Sequence, residues 1–227
     1  MKTIKENIAR IRRAMVEAAV RANRDPEEIT LIGVSKTVDV EGIQKAIDAG
    51  LTHIGENRVQ EARDKFPHID QPVQRHLIGH LQRNKVKYCF DLFDMIQSVD
   101  SYPLAEEINK QALRREQTMD ILVQVNIGDE ASKFGLEPGD VPQFVEKIYD
   151  MEGINFCGLM AIPPYSPEPE DVRPYFREMY RLWADLRERY PGCTQLSMGM
   201  SGDYPVAIEE GATKVRVGQA IFGARDY

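Results

Sequence analysis

The chain alternates two cadences along nearly its whole length. A short run of β-branched and apolar residues comes first, then a turn, then a stretch whose apolar positions recur every three to four residues. Runs of the first kind lie at 29–36 (ITLIGVSK), 52–56 (THIGE), 75–79 (RHLIG), 93–98 (FDMIQS), 120–126 (DILVQVN), 154–161 (INFCGLMA), 194–199 (TQLSMG) and 214–218 (KVRVG). They predict eight strands. Helical periodicity falls between them at 39–49, 58–66, 82–89, 101–116, 140–151, 170–190 and 203–210. Strands alternating with helices imply parallel pairing through right-handed crossovers, and eight such units predict an α/β fold, the (β/α)8 TIM barrel. Punctuation agrees: Gly50 follows the stretch 39–49, Pro142 falls in the first turn after Asp140, and Pro205 and Gly211 bracket the short stretch near 203–210.

An additional helix precedes the first strand. Ile4, Ile8, Ile11, Met15, Ala18 and Ala19 share one face of it, and the absence of an unbroken apolar stretch separates it from a signal peptide. The chain ends a few residues past the eighth strand, so no eighth helix is expected there, and the N-terminal helix is expected to cover that part of the barrel wall. With 227 residues and no change of composition along the way, residues 1–227 are expected to form a single domain.

Charge and composition narrow the function. The balance of 29 basic against 36 acidic residues, net −7, carries no nucleic-acid footprint, and no run approaches the roughly 18 apolar residues that span a bilayer. Cys89, Cys157 and Cys193 are widely spaced and form no CxxC pair; they read as reduced thiols of a cytoplasmic protein. His76 and His80 have the spacing of zinc ligands on a helix, but RHLIGH reads as a strand and its exit, so no metal site is expected. The Pro-rich, acidic stretch 162–174 reads as a stiff surface loop, with a lid over the barrel mouth as the alternative.

In such a barrel the chemistry belongs to the C-terminal ends of the strands, and the polar residues of this chain gather there. Lys36 ends the first strand, Asn57 the second and His80 the third. The stretch SMGMSGDYPVAIEEGATKVRVGQAIFG ends strands seven and eight in small residues beside short helix starts, a pattern suited to a phosphate held by Ser201, Gly202, Gly218 and Gln219. A tight turn capped by Ser201 or Asp203 is the plainer reading. A lysine at the mouth together with a phosphate cradle suggests a Schiff-base ligand bearing its own phosphate, as pyridoxal 5′-phosphate does. Arg216 shares a strand face with Lys214 and Gly218. Turned toward the ligand it would oppose the pyridine nitrogen and weaken the ring as an electron sink; turned to the rim it would neutralise Glu209 or Glu210.

The motifs LIGVSKT, HIGENRVQEA, HLIGHLQRNK, VNIGDEASKFG, GLMAI, SMGMSGD and VRVGQAIFG together resemble the pyridoxal phosphate homeostasis proteins, single-domain relatives of the alanine racemase barrel. The resemblance implies that Lys36 carries the cofactor as a Schiff base and that Ser201, Gly202, Gly218 and Gln219 cradle its phosphate. It also implies that Arg216 faces the pyridine nitrogen, with Asn57, His80 and Met198 around the ring. The family commonly has a small hydroxyl residue where this chain has Gln219; a backbone N–H contact survives that change, and whether a side-chain contact does is left open. Such proteins are non-catalytic cofactor binders that buffer pyridoxal phosphate and deliver it to apo-enzymes, and a monomer is expected. The rival readings are a weak or narrow amino-acid racemase, in which Tyr165 or Tyr204 would supply a second base, and a cofactor-free aldolase using Lys36.

Overall fold

The computed structural model describes residues 3–128 and 134–223; part of the VNIGDEASKFG motif and the last four residues lie outside them. Eight parallel strands follow one another around a closed barrel: β1 (Thr30–Val34), β2 (His53–Glu56), β3 (Gln74–Leu77), β4 (Met95–Val99), β5 (Met119–Val125), β6 (Ile154–Ala161), β7 (Gln195–Ser197) and β8 (Lys214–Val217). β8 closes the barrel on β1 with Ile32 opposite Arg216 and Gly33 opposite Val217. The (β/α)8 architecture is thus that expected from the alternating cadence.

The wall is built from α1 (Ile4–Arg21), α2 (Val40–Asp48), α3 (Val59–Lys65), α4 (Val86–Cys89), α5 (Tyr102–Leu113), α6 (Val141–Ile148), α7 (Arg173–Arg189), α8 (Tyr204–Glu209) and α9 (Gln219–Phe222). Two of these differ from expectation at their starts. The stretch 82–89 opens as a 3₁₀ turn, Arg83–Lys85, before the single turn of α4, and α7 is preceded by a 3₁₀ turn, Pro169–Val172. A third difference corrects the reading that no helix follows the last strand. α9 does follow it, but four residues are too few to display a helical period, and Gly223 at φ 97° ends it at once.

α1 covers the barrel where α9 is too short to do so. It begins in a capping box between Thr3 and Glu6 and packs against α2, α8 and α9. Ile8, Ile11, Met15, Ala18 and Ala19 form its buried face. Side chains pin both ends: Asn7 Nδ2 donates to the Ile221 carbonyl at 2.9 Å, and Arg24, just beyond the helix, donates to the carbonyls of Ile208 and Ala212 at 2.6 and 2.9 Å.

The apolar core lies mainly between barrel and helices. Inside the barrel a smaller apolar cluster of Met95, Leu122, Cys157 and Met160 is separate from that layer. The rest of the lumen is unusually polar for a fold whose interior is ordinarily filled with branched aliphatics: His76, Gln97, Ser197, Lys214 and Arg216 are all buried. Ile11 is fully buried, so Ile11→Ala is expected to cost about 2–5 kcal/mol, read from the urea midpoint. Val20→Ala on the exposed face of the same helix should leave that midpoint in place.

Candidate active site at the barrel mouth

Lys36 stands two residues past β1 in a turn closed by the Val38 amide donating to the Ser35 carbonyl at 2.9 Å. Its neighbour Thr37 has φ 65°, a left-handed conformation that a β-branched residue adopts only under constraint. The constraint comes from α3 and the end of β2. Glu61 accepts from the Thr37 amide, Lys65 Nζ donates to the Ser35 carbonyl at 2.9 Å, and the Ser35 hydroxyl donates to Glu56 Oε1 at 2.7 Å. Lys65 also pairs with Glu56 at 3.1 Å and with Glu61 at 2.7 Å. Glu56 is fully buried; burial pushes its carboxyl up, against the pull of Ser35 and Lys65. At Glu61 burial acts in the same sense, but the Lys65 and Thr37 hydrogen bonds prevail and hold the carboxyl below its ordinary range.

The adjoining strand brings the second part of the site. Because Gly33 pairs with Val217, the next residue, Gly218, abuts Val34; a Cβ on Gly218 would lie 3.3 Å from both Val34 Cβ and the Val34 carbonyl. The backbone amides of Gly218 and Ala220 converge on the Ser201 hydroxyl oxygen, at 3.3 and 3.4 Å. The loop after β7 and the turn into α9 therefore meet around one small polar point. Gly202 has no atom within 4 Å of the position a Cβ would occupy, which leaves open space beside that point. Gln219 is exposed and opens α9 directly after Gly218, so its backbone adjoins these amides. Lys36, Ser201, Gly202, Gly218 and Gln219 thus lie on the neighbouring ends of β1, β7 and β8.

Arg216 lies deeper, opposite Ile32 and inside the lumen, where its guanidinium donates to Ser197 Oγ at 2.7 Å and to the Ala161 carbonyl at 2.8 Å. Burial lowers it to about 10, against the attraction of Asp203. The rim ion pair is excluded as its role: Glu209 and Glu210 are bound instead by Arg21, Arg173 and Arg177 on the outer wall.

The remaining expected residues are more dispersed. Asn57 follows β2, with its backbone against Gly79 so closely that a Cβ there would collide with the Asn57 carbonyl. His80 is at the rim, stacked on Phe134 with ring centroids 3.8 Å apart and Nδ1 3.5 Å from Asp100 Oδ2. Met198 is fully buried in the same apolar cluster as Leu196, while the Ser197 hydroxyl between them meets Arg216 in the lumen. Of the two tyrosines, Tyr165 is 89 % exposed, whereas Tyr204 is buried with Arg10 and Glu17 of α1 as its charged neighbours. Burial pushes the thiols of Cys89, Cys157 and Cys193 up to about 12, which leaves them unreactive. Among the described residues no group of three or more His, Cys, Asp or Glu could hold a metal ion. No described helix is long and apolar enough to cross a membrane.

Sequence reasoning missed Glu56, Glu61 and Lys65 under the lysine turn, and Ser197, Gln97 and His53 in the lumen. The signal was present as polar residues at inward strand positions, such as Gln97 in MIQSV. A separate cleft of about 650 Å³ opens at the opposite end of the barrel beside Lys214, Gln195 and Trp183. The converging amides and the Lys36 turn are at the C-terminal end, where barrels of this kind carry their chemistry.

A parallel barrel with a mouth lysine, a lumen arginine and amides converging between strands seven and eight defines a class. The chain belongs to the family described as alanine racemase, N-terminal domain, whose model matches residues 1–226. Its relatives within that class are pyridoxal phosphate homeostasis proteins. It is 43% identical to the one from Aquifex aeolicus over 98% of both chains, and 41% identical to the one from Escherichia coli K12 over 100% of this chain and 99% of that protein. The structure is similar to that of PipY from Synechococcus elongatus with PLP bound, at 33% identity and a TM-score of 0.85, covering 97% of this chain and 100% of that one.

Two outcomes are expected from this geometry. Lys65→Met leaves the buried Glu56 carboxylate without its cation, which is expected to cost up to about 3–5 kcal/mol; adding Glu56→Gln should restore much of the lost melting temperature. Burial, with Lys214 next in order, holds His53 down at about 4 and His76 well below its ordinary value. The unfolded chain, with imidazoles near 6.5, therefore binds more protons below that pH. Stability from these two groups is full above about pH 6.5 and falls on acidification toward 4. A Lys214→Met variant, relieved of the repelling ammonium, should show a shallower fall of melting temperature between pH 6.5 and 5.

Proposed function

We propose that the chain binds pyridoxal 5′-phosphate at the barrel mouth and serves its homeostasis, as a non-catalytic protein that stores and releases the cofactor. The observation that carries this reading is the meeting of the Gly218 and Ala220 amides at Ser201, one strand away from the Lys36 turn. The donor set fits the cofactor. Backbone N–H groups and a hydroxyl suit a phosphate, the open space beside Gly202 admits one, and a primary amine suits an aldehyde.

In this reading Ser201, Gly202, Gly218 and the Gln219 backbone hold the phosphate, and Lys36 is the amine that takes the aldehyde. Asn57 and His80, from the next two strands, would border the ring, and Arg216 would face its nitrogen. When bound, the cofactor supplies an aldehyde that condenses with an amine and a ring that can accept electrons. Arg216, a donor with no lone pair to accept a proton, would keep the ring nitrogen unprotonated and the ring a poor electron sink. The Glu56–Lys65–Glu61 group holds the lysine turn in place before any ligand arrives, so little ordering is left to the binding step.

The placement of the tyrosines supports storage over racemisation, which needs a base on each face of the substrate carbon. Tyr165 points into solvent and Tyr204 is buried on the wall side. The same reading makes residues 1–227 one cofactor-binding domain, working in the cytoplasm as a monomer that passes cofactor to apo-enzymes. Its three buried thiols suit a reducing compartment.

With added pyridoxal phosphate the protein is expected to develop a near-visible absorption band, and borohydride reduction should fix the adduct on the Lys36 peptide. Lys36→Ala should abolish both while the melting temperature changes by no more than a few degrees. An adduct on another lysine would move the site. Exchange of the α-proton of an added amino acid above the free-cofactor rate would instead favour a racemase.

A further inference from the structure

A line of hydrogen bonds crosses the barrel from Arg216 to the opposite end. Arg216 Nη1 is 2.7 Å from Ser197 Oγ, Ser197 Oγ is 2.7 Å from Gln97 Oε1, Gln97 Nε2 is 3.1 Å from His76 Nδ1, and His76 Nε2 is 3.0 Å from His53 Nδ1. Ser197 and Gln97 are fully buried, and His76 and Arg216 nearly so. His53 is half-buried at the start of β2, where it lines a small cleft with Arg12, Thr30 and Thr52. Five residues from five different strands, β8, β7, β4, β3 and β2, make up the line.

Its direction follows from valence and from Gln97 being, among the described residues, the one acceptor within reach of the Ser197 hydroxyl hydrogen. A guanidinium only donates, so Ser197 Oγ must accept from Arg216 and turn its own hydrogen to the next residue. The atom that receives it must be the amide oxygen of Gln97, which leaves the Gln97 NH₂ facing His76. His76 Nδ1 must therefore be the bare nitrogen, its hydrogen must sit on Nε2, and that hydrogen goes to His53 Nδ1. His53 in turn carries its hydrogen on Nε2. An imidazolium at His76 would set two donors against each other at Gln97.

We infer that Ser197, Gln97, His76 and His53 are positioning residues that form a one-way hydrogen-bonded chain, holding Arg216 as a charged donor without a carboxylate to neutralise it. Among the described residues no carboxylate lies within salt-bridge distance of Arg216. A buried guanidinium needs acceptors, and the ordinary one is an Asp or Glu, which would also cancel its field. Here a hydroxyl polarised by the amide and imidazoles behind it, together with the Ala161 carbonyl, accepts in its place. The charged groups near the far end act in the same sense on balance. Lys214 repels a proton from both imidazoles, and Asp94 attracts one to His53 only more weakly than burial and Lys214 oppose it. The consequence for a bound ring, that the positive field of Arg216, offset by Asp203 only from beyond ion-pair distance, reaches its nitrogen, rests on the site proposed above; the direction of the chain does not.

Nitrogen-15 correlation spectra of the histidines in the full-length protein, recorded without cofactor at pH 7.5, test the chain directly. The expected result is the neutral Nε2–H tautomer at both His53 and His76. Either residue as Nδ1–H or as imidazolium would overturn the inference. In Gln97→Glu the residue facing His76 Nδ1 has no hydrogen to donate, so His76 should acquire one on Nδ1; an unchanged Nε2–H tautomer would also overturn it. Ser197→Thr, which keeps the hydroxyl, should retain the wild-type pattern, and this arm still reads the chain if Gln97→Glu does not fold. With ¹⁵N-labelled pyridoxal phosphate, the ring nitrogen should move toward its protonated resonance in Gln97→Glu. A nitrogen that stays put while the His76 tautomer changes would remove the link to Arg216's field, and failure of the wild type to bind would refute the cofactor site while leaving the tautomers as found.

Discussion

The closure of β8 on β1 is the contact on which the site depends. Parallel closure with Gly33 opposite Val217 puts residue 218 close against Val34, where a Cβ would be tightly packed, and its amide points toward Ser201. The same register sets Lys36 just past the end of β1 and places Arg216 below it in the lumen. A slip of one residue would turn Arg216 outward into the apolar wall and Val217 inward. Reactive amine, amide cradle and guanidinium are therefore consequences of one pairing rather than three separate adaptations.

The second organising feature is the amount of charge and polarity taken out of water. Below Lys36 a buried glutamate is balanced by Lys65, and in the lumen a buried guanidinium is balanced by neutral dipoles. The two solutions differ in what they leave behind. An ion pair cancels its own field and serves to hold a turn, whereas a chain of dipoles satisfies the hydrogen bonds of Arg216 and leaves its charge effective. The barrel accordingly gives up aliphatic packing at inward positions of β3, β4, β7 and β8, and α1 and the helix layer carry the apolar burial that the lumen lacks.

Much of this was legible before folding was considered. The period of the apolar positions specified eight strands and the intervening helices, because side chains alternate faces on a strand and recur every three to four residues on a helix. Small residues in SMGMSGD and VRVGQ marked close backbone approach, and the lysine after LIGVS stood where an apolar run should have ended. What the sequence did not show were short elements and side-chain surroundings. α9 is one turn long and shows no period, and Met198, just past β7, is fully buried in the apolar cluster that holds Leu196.

By itself, then, the sequence determined the barrel, the location of its polar residues at the strand ends and the identity of the groups available there, since these follow from local periodicity and residue chemistry. The tertiary structure alone decided which of them meet. Gln97, Ser197 and His53 are separated by long stretches of chain, and no spacing along the sequence reveals that barrel closure brings them into a single line ending on Arg216. That meeting depends on shear and register across five strands, which are properties of the closed sheet and of no segment within it.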